Sequence, residues 1–100
     1  RSGYTEVLIL ALEESFGPRY QGLASALRKA GLATEIFPEK KKLAQQFAYA
    51  EKKGIPYALI CGQDEAQKGT VTLRSMESRE NREFASMAEA VAFLGGKKGL

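Results

Sequence analysis

Apolar positions along the chain recur with two alternating periods. Val7, Leu8, Ile9 and Leu10 form a continuous apolar run within Thr5 to Leu12, which predicts a strand covered on both faces. From about Pro18 to Ala30 the period becomes helical. Phe16, Tyr20, Leu23, Ala24 and Leu27 share one stripe, and Arg19, Ser25, Arg28 and Lys29 face away. Pro18 suits a first turn and Gly31 the position just past the end. Ala33 to Phe37 is a short second strand closed by Pro38. A second helix follows from about Lys41 to Lys53, with Leu43, Phe47 and Ala50 as its core stripe and Gly54 as its stop. Tyr57 to Cys61 is a third buried strand.

The second half is more polar. Gly62 to Gly69 is a short polar connection with at most one helical turn. Thr70 to Arg74 alternates, with Val71 and Leu73 on one face and Thr70, Thr72 and Arg74 on the other. Met76 to Asn81 reads as a turn and Arg82 to Ala85 as a weak last strand. Ser86-Met87-Ala88-Glu89 has the capping-box pattern and opens a final helix with Met87, Val91 and Leu94 inward. Gly95 to Leu100 reads as a flexible tail, and Arg1-Ser2-Gly3 as a linker or cloning remnant.

The order β-α-β-α-β, then β-β-α, predicts one α/β domain over residues 1–100. Right-handed crossovers make the first three strands parallel, with the first in the middle. The last two strands add as an antiparallel extension beyond the third. The expected fold is therefore a five-stranded mixed sheet flanked by three helices.

Composition narrows the function classes. One hundred residues make one core. No apolar run approaches the roughly 18 residues of a membrane span, so no membrane partner is expected. The polar N-terminus gives no secretory signal. Cys61 is the only cysteine, which rules out an intrachain disulfide and fits a reducing, cytoplasmic setting. The net charge of +3 favours an acidic partner without naming one. The chain contains no histidine. That removes the usual general base, the usual zinc ligand and every Ser-His or Cys-His nucleophile pair. Neither a GxxxxGK[ST] loop nor a GxGxxG fingerprint is present. We therefore expect a binding domain with no catalytic residue, no metal site and no cofactor of its own.

Candidate contacts gather where an open sheet usually receives ligands, outside the carboxyl ends of its parallel strands. Lys42, Gln46, Tyr49 and Lys53 share one stripe of the second helix. Lysine for phosphates, glutamine for base edges and tyrosine for stacking make a plausible RNA-facing set, although a solvated helix face has the same pattern. Lys40-Lys41-Lys42 equally suits a surface helix start, and Asp64-Glu65 the caps of a helical turn. Glu13-Glu14 reads as a solvated loop and Cys61 as an inert buried thiol. Arg74 lies on the polar face of its strand, close enough to the segment Gly62 to Glu65 for an Arg-carboxylate pair.

Three segments in fixed order carry a family resemblance. They are the helix Gln46-Phe47-Ala48-Tyr49-Ala50, the turn Gly62-Gln63-Asp64-Glu65 and the strand Gly69-Thr70-Val71-Thr72-Leu73-Arg74. Together they resemble the anticodon-binding domain of class II aminoacyl-tRNA synthetases, closest to the histidyl type, over Val7 to Leu94. Leu73 to Glu80 resembles the eukaryotic-like branch of the histidyl enzymes in particular. The resemblance implies a binding module for the tRNA anticodon loop, joined to a catalytic domain that carries the ATP, magnesium, histidine and dimer sites in a homodimeric parent. It implies Glu65 and Arg74 as base contacts, with Arg74 donating to a base or holding Glu65 in place. Lys41, Lys42, Gln46 and Tyr49 follow as helix-side contacts. The lysine that often follows the family's helix phenylalanine is Ala48 here.

Other readings compete with this one. The domain would fit a threonyl, prolyl or glycyl enzyme, or a regulatory paralogue that keeps the fold. A receiver-like signalling module expects an aspartate where Cys61-Gly62 stand. A flavodoxin-like module expects a phosphate loop where Leu12 to Gly17 is acidic.

Overall fold

The structure is a computed structural model that describes residues 4–99. Its elements are β1 (Val7–Ile9), a 3-10 turn (Glu14–Phe16), α1 (Gly17–Lys29), β2 (Thr34–Ile36), α2 (Leu43–Lys53), β3 (Tyr57–Ile60), α3 (Gln63–Lys68), β4 (Val71–Ser75), β5 (Asn81–Phe84) and α4 (Met87–Gly99). The five strands form one mixed sheet in the order β2-β1-β3-β4-β5. β1 pairs in parallel with both β2 and β3, while β3, β4 and β5 form an antiparallel meander. This is the expected topology with β1 central on its parallel side.

The apolar run of β1 divides between two cores because successive strand residues point to opposite faces. Val7, Ile9 and Ala11 pack with Tyr20, Ala24 and Leu27 of α1 and with Ala90 and Leu94 of α4. Leu8 and Leu10 pack on the other face with Ala50, Ile55 and Ala58, beneath α2. The ladder ends at Ile9, but the run stays buried beyond it: Leu10 and Ala11 are 0% and 7% exposed. Leu10 N–H donates to the Leu59 carbonyl at 3.0 Å, which carries the chain past the last rung.

Two elements differ from expectation. A fourth α-helix, α3, stands where the sequence pattern allows only one helical turn. It buries none of its six residues, so no apolar stripe announces it. Its two ends hold it instead. Glu65 Oε1 accepts from Gly62 N–H at 2.9 Å, and Gly69 closes it in the left-handed region at φ 78°. The second difference is α4, which continues through Gly95 and Gly96 to Gly99 where a tail was expected. Glycine weakens a helix by about 1 kcal/mol relative to alanine but, unlike proline, keeps its N–H donor. The expectations for Arg1-Ser2-Gly3 and Leu100 fall outside the described residues.

Leu59 sits in β3 between Ile9 and Leu73, with no exposed surface. Leu59→Ala should therefore destabilise the domain by about 2–5 kcal/mol, read from the midpoint and slope of urea unfolding. A loss under about 1 kcal/mol would contradict the central packing described above.

Candidate nucleic-acid interface

α2 covers β1 and β3 on one side of the sheet, while α1 and α4 cover the other. The alternation of β4 then fixes which side chains remain open. Val71 and Leu73 enter the α1–α4 core, so Thr72 and Arg74 emerge on the α2 side. Asn81 and Glu83 of β5 lie opposite Arg74 and Thr72 in register, on the same face. The result is a polar sheet face bordered by α2 and by α3.

Glu65 stands at one end of this face. Its Oε1 is engaged by Gly62 N–H, and its Oε2 accepts from Thr72 Oγ1 at 3.0 Å. A Cβ at Gly62 would meet Leu12 Cδ1 at 3.3 Å and Glu65 Oε1 at 3.4 Å, so glycine lets the carboxylate close over its own turn. The local cap anticipated for Asp64-Glu65 is thus made by Glu65. The carboxylate keeps acceptor capacity beyond these two bonds, since each oxygen has two lone pairs.

Arg74 stands two residues beyond Thr72 along β4, about 7 Å by strand rise. Its guanidinium lies over the Phe47 ring, 4.7 Å from the centroid, and Nη1 donates to Asn81 Oδ1 at 3.3 Å. Its Nε is buried without a partner. The expected Glu65–Arg74 pair does not form, because Thr72 takes the carboxylate and Phe47 takes the guanidinium. Leu43 lies one helical turn before Phe47 on the same flank and is 43% exposed. It was expected in the core stripe, and it borders the open face instead.

The stripe Lys42-Gln46-Tyr49-Lys53 does not act as one surface. Gln46 is fully buried, so it cannot meet a base edge in this structure. Its Oε1 accepts from Ala11 N–H at 2.8 Å, and its Nε2 donates to the carbonyls of Ala11 and Lys41, both at 2.9 Å. Tyr49 is about 200° around the helix from Phe47 and faces the β2 edge, away from Arg74. Its hydroxyl donates to Glu35 Oε1 at 2.7 Å, its ring meets Phe37 edge-on, and Lys53 Nζ lies 5.8 Å from its centroid. Tyr49 is therefore committed to that edge and is no stacking partner for a base beside Arg74. Lys41 and Lys42 are exposed on the loop that enters α2, and Lys41 Nζ is 3.8 Å from Glu39.

The carboxyl end of β1, where a parallel sheet often receives a phosphate, is closed by side chains. Gln46 takes the N–H of Ala11, while Tyr20 Oη accepts from Leu12 N–H at 3.0 Å and Glu13 N–H at 3.1 Å. Three successive donors are thus occupied from both flanking helices. The cleft beside them, about 440 Å³, is lined by Glu13, Glu14 and Glu39 with Lys40 as its cation, and so repels phosphate. Among the described residues no group of three or more His, Cys, Asp or Glu could hold a metal ion. No helix among them is long and apolar enough to cross a membrane. Burial raises the Cys61 thiol pKa, in keeping with an unreactive thiol.

Phe47, Thr72 and Tyr20 were not singled out from the sequence. Phe47 carried a signal, since it shares the motif helix with Gln46, but its apolar character read as core. Thr72 and Tyr20 acquire their roles only through tertiary contacts.

The sequence matches the family described as "Anticodon binding domain" over residues 6–97. It is 34% identical to a histidine–tRNA ligase of Wolinella succinogenes over 96% of this chain and 22% of that protein. A histidine–tRNA ligase of Rhodopirellula baltica is 39% identical over 71% of this chain and 16% of its own length. The chain thus spans about a fifth of these relatives. The crystal structure of histidyl-tRNA synthetase from Nostoc sp. PCC 7120 superimposes with a TM-score of 0.89 at 29% identity, covering 94% of this chain and 22% of that one. The RNA binding domain of threonyl-tRNA synthetase from Cryptosporidium parvum has the same fold, with a TM-score of 0.84 at 14% identity over 92% of this chain and 23% of that one.

The Tyr49 network predicts a pH effect. Hydrogen bonds from Thr5 and then Tyr49 lower the Glu35 pKa, with a smaller contribution from Lys53. A depressed folded-state pKa gives stability that is present above the unfolded carboxylate pKa, about 4.3, and lost as pH falls through the folded value. Glu35→Gln should be less stable than the parent at pH 7, and the gap should narrow on acidification below about pH 4. Urea midpoints measured from pH 7 to pH 3 check this. A gap independent of pH would contradict it.

Proposed function

The chain belongs to the anticodon binding domain family, and on that premise we propose that it is the tRNA-reading part of a histidine–tRNA ligase. It contributes no catalytic group. It holds the anticodon loop while a catalytic domain outside these 100 residues, using ATP and magnesium in a homodimeric parent, attaches the amino acid. A cytoplasmic setting fits the lone, buried, unreactive thiol. The names of the relatives support the histidyl assignment, while the threonyl likeness supports the fold alone.

The open face of β4 is the observation that carries this reading. Single-stranded loop bases can be splayed out, stacked on aromatic or guanidinium planes and hydrogen-bonded at their edges. Arg74 offers such a plane, backed by Phe47 so that one guanidinium face is already supported by protein. Glu65, steered toward the same face by Thr72 and Gly62, offers acceptors for a base amino or imino group. Lys41 and Lys42 on the neighbouring loop supply phosphate contacts, which position the RNA without reading sequence. The acidic cleft at the β1 end, lined by Glu13, Glu14 and Glu39, disfavours a phosphate within it.

Fluorescence titration of an anticodon stem-loop tests the roles separately. Arg74→Lys keeps the charge but loses the plane, and Glu65→Gln keeps an acceptor for Gly62 but loses the carboxylate. Each should weaken binding about tenfold, within the 1–3 kcal/mol expected of a base contact. Lys41→Ala and Lys42→Ala should weaken all stem-loops alike and reduce the salt slope by about one each. Parent-like affinity in both Arg74→Lys and Glu65→Gln would sink the assignment of this face.

A further inference from the structure

Gln46 is a fully buried polar side chain whose carboxamide spans two loops. Its oxygen and nitrogen pair with the N–H and C=O of a single residue, Ala11, as a neighbouring strand would. Ala11 lies just beyond the last β1 rung, where no strand continues the pairing. The second N–H of the amide reaches the Lys41 carbonyl. The next carbonyl, that of Lys42, accepts from Gln45 and Gln46 N–H as α2 begins. One side chain therefore anchors the end of β1 and the entry to α2 to each other, and both amide hydrogens and the oxygen are used.

The lysines are what this anchor carries. Lys41 and Lys42 are exposed, Lys41 Nζ lies 3.8 Å from Glu39, and the backbone between them and α2 is held at the Lys41 carbonyl by the Gln46 amide. A flexible loop would present the same charges at a larger ordering cost on binding. We propose that Gln46 is a positioning residue for nucleic-acid binding: it fixes the lysine loop against the β1 end, so that Lys41 and Lys42 meet the phosphates already ordered. The inference rests on the anticodon reading and adds a residue that never touches the RNA.

The test uses the 100-residue chain and an anticodon stem-loop. Gln46→Met keeps the volume and removes the amide. Amide hydrogen exchange reads the anchor without RNA, and the Ala11 N–H should exchange at least about tenfold faster in the variant. Stem-loop affinity should fall about tenfold with a shallower salt slope. Placed on a Lys41→Ala/Lys42→Ala background, Gln46→Met should cause no further loss, because its effect passes through those lysines. A merely structural role would weaken binding equally in both backgrounds, and that result overturns the proposal. So does unchanged affinity and slope in the single variant once Ala11 exchange is fast. If the lysine double variant itself binds as tightly as the parent, the anticodon reading of this loop fails as well.

Gln46→Glu decides the matter should Gln46→Met not fold. Protonated, the carboxyl keeps one donor and one acceptor; ionised, it has nothing to donate to either carbonyl. Its stem-loop affinity should fall about tenfold between pH 5 and pH 8 relative to the parent, which has no histidine to titrate in that range. A pH profile that parallels the parent's overturns the proposal.

Discussion

β1 has no face turned to water. Val7, Leu8, Ile9 and Leu10 are all completely buried, and the strand is paired on both edges. A strand in that position requires a helical layer on each side of the sheet and a neighbour along each ladder. α1 and α4 supply one layer and α2 the other. Because α2 is a single helix seated over β1 and β3, it leaves the α2 side of β4 and β5 uncovered. The open polar face follows from how the core strand is covered.

Polar side chains finish what the apolar packing begins. Where β1 leaves the sheet, its backbone donors need partners, and Gln46 and Tyr20 provide them from opposite helices. The same bonds remove a phosphate site that the topology would otherwise favour. Across the sheet, Thr72 and Gly62 orient Glu65, and Phe47 supports Arg74. The two candidate base contacts are held independently, each by a neighbour on a regular element.

The sheet order was readable in the sequence because it depends on apolar runs and on the handedness of crossovers. Residues 7–10 and 57–61 read as buried strands, and the 70–74 alternation marked a half-covered one. α3 was not readable, since six polar residues carry no stripe and its stability lies in an end cap. Gln46 was misread for a related reason. It stands three residues after Leu43 and four before Ala50, so helical spacing alone would admit it to the core. Its polarity argued for the surface, and only the unpaired backbone at Ala11 explains its burial. Leu43 was misread in the opposite sense. The Glu65–Arg74 pair was inferred because the strand of Arg74 lies beside Gly62 to Glu65, but competing partners, Thr72 and Phe47, claim both groups first.

Family membership and an open polar face together make selective anticodon reading the central claim. Equilibrium binding to a panel of anticodon stem-loops across a salt series tests it most directly. The account predicts that the stem-loop with the histidine anticodon binds at least about tenfold more tightly than the others at any one salt concentration. That ratio should persist while every absolute affinity falls with added salt, since base contacts set the preference and phosphate contacts set the slope. Equal affinity for all stem-loops, differing only through a common steep salt dependence, would contradict it.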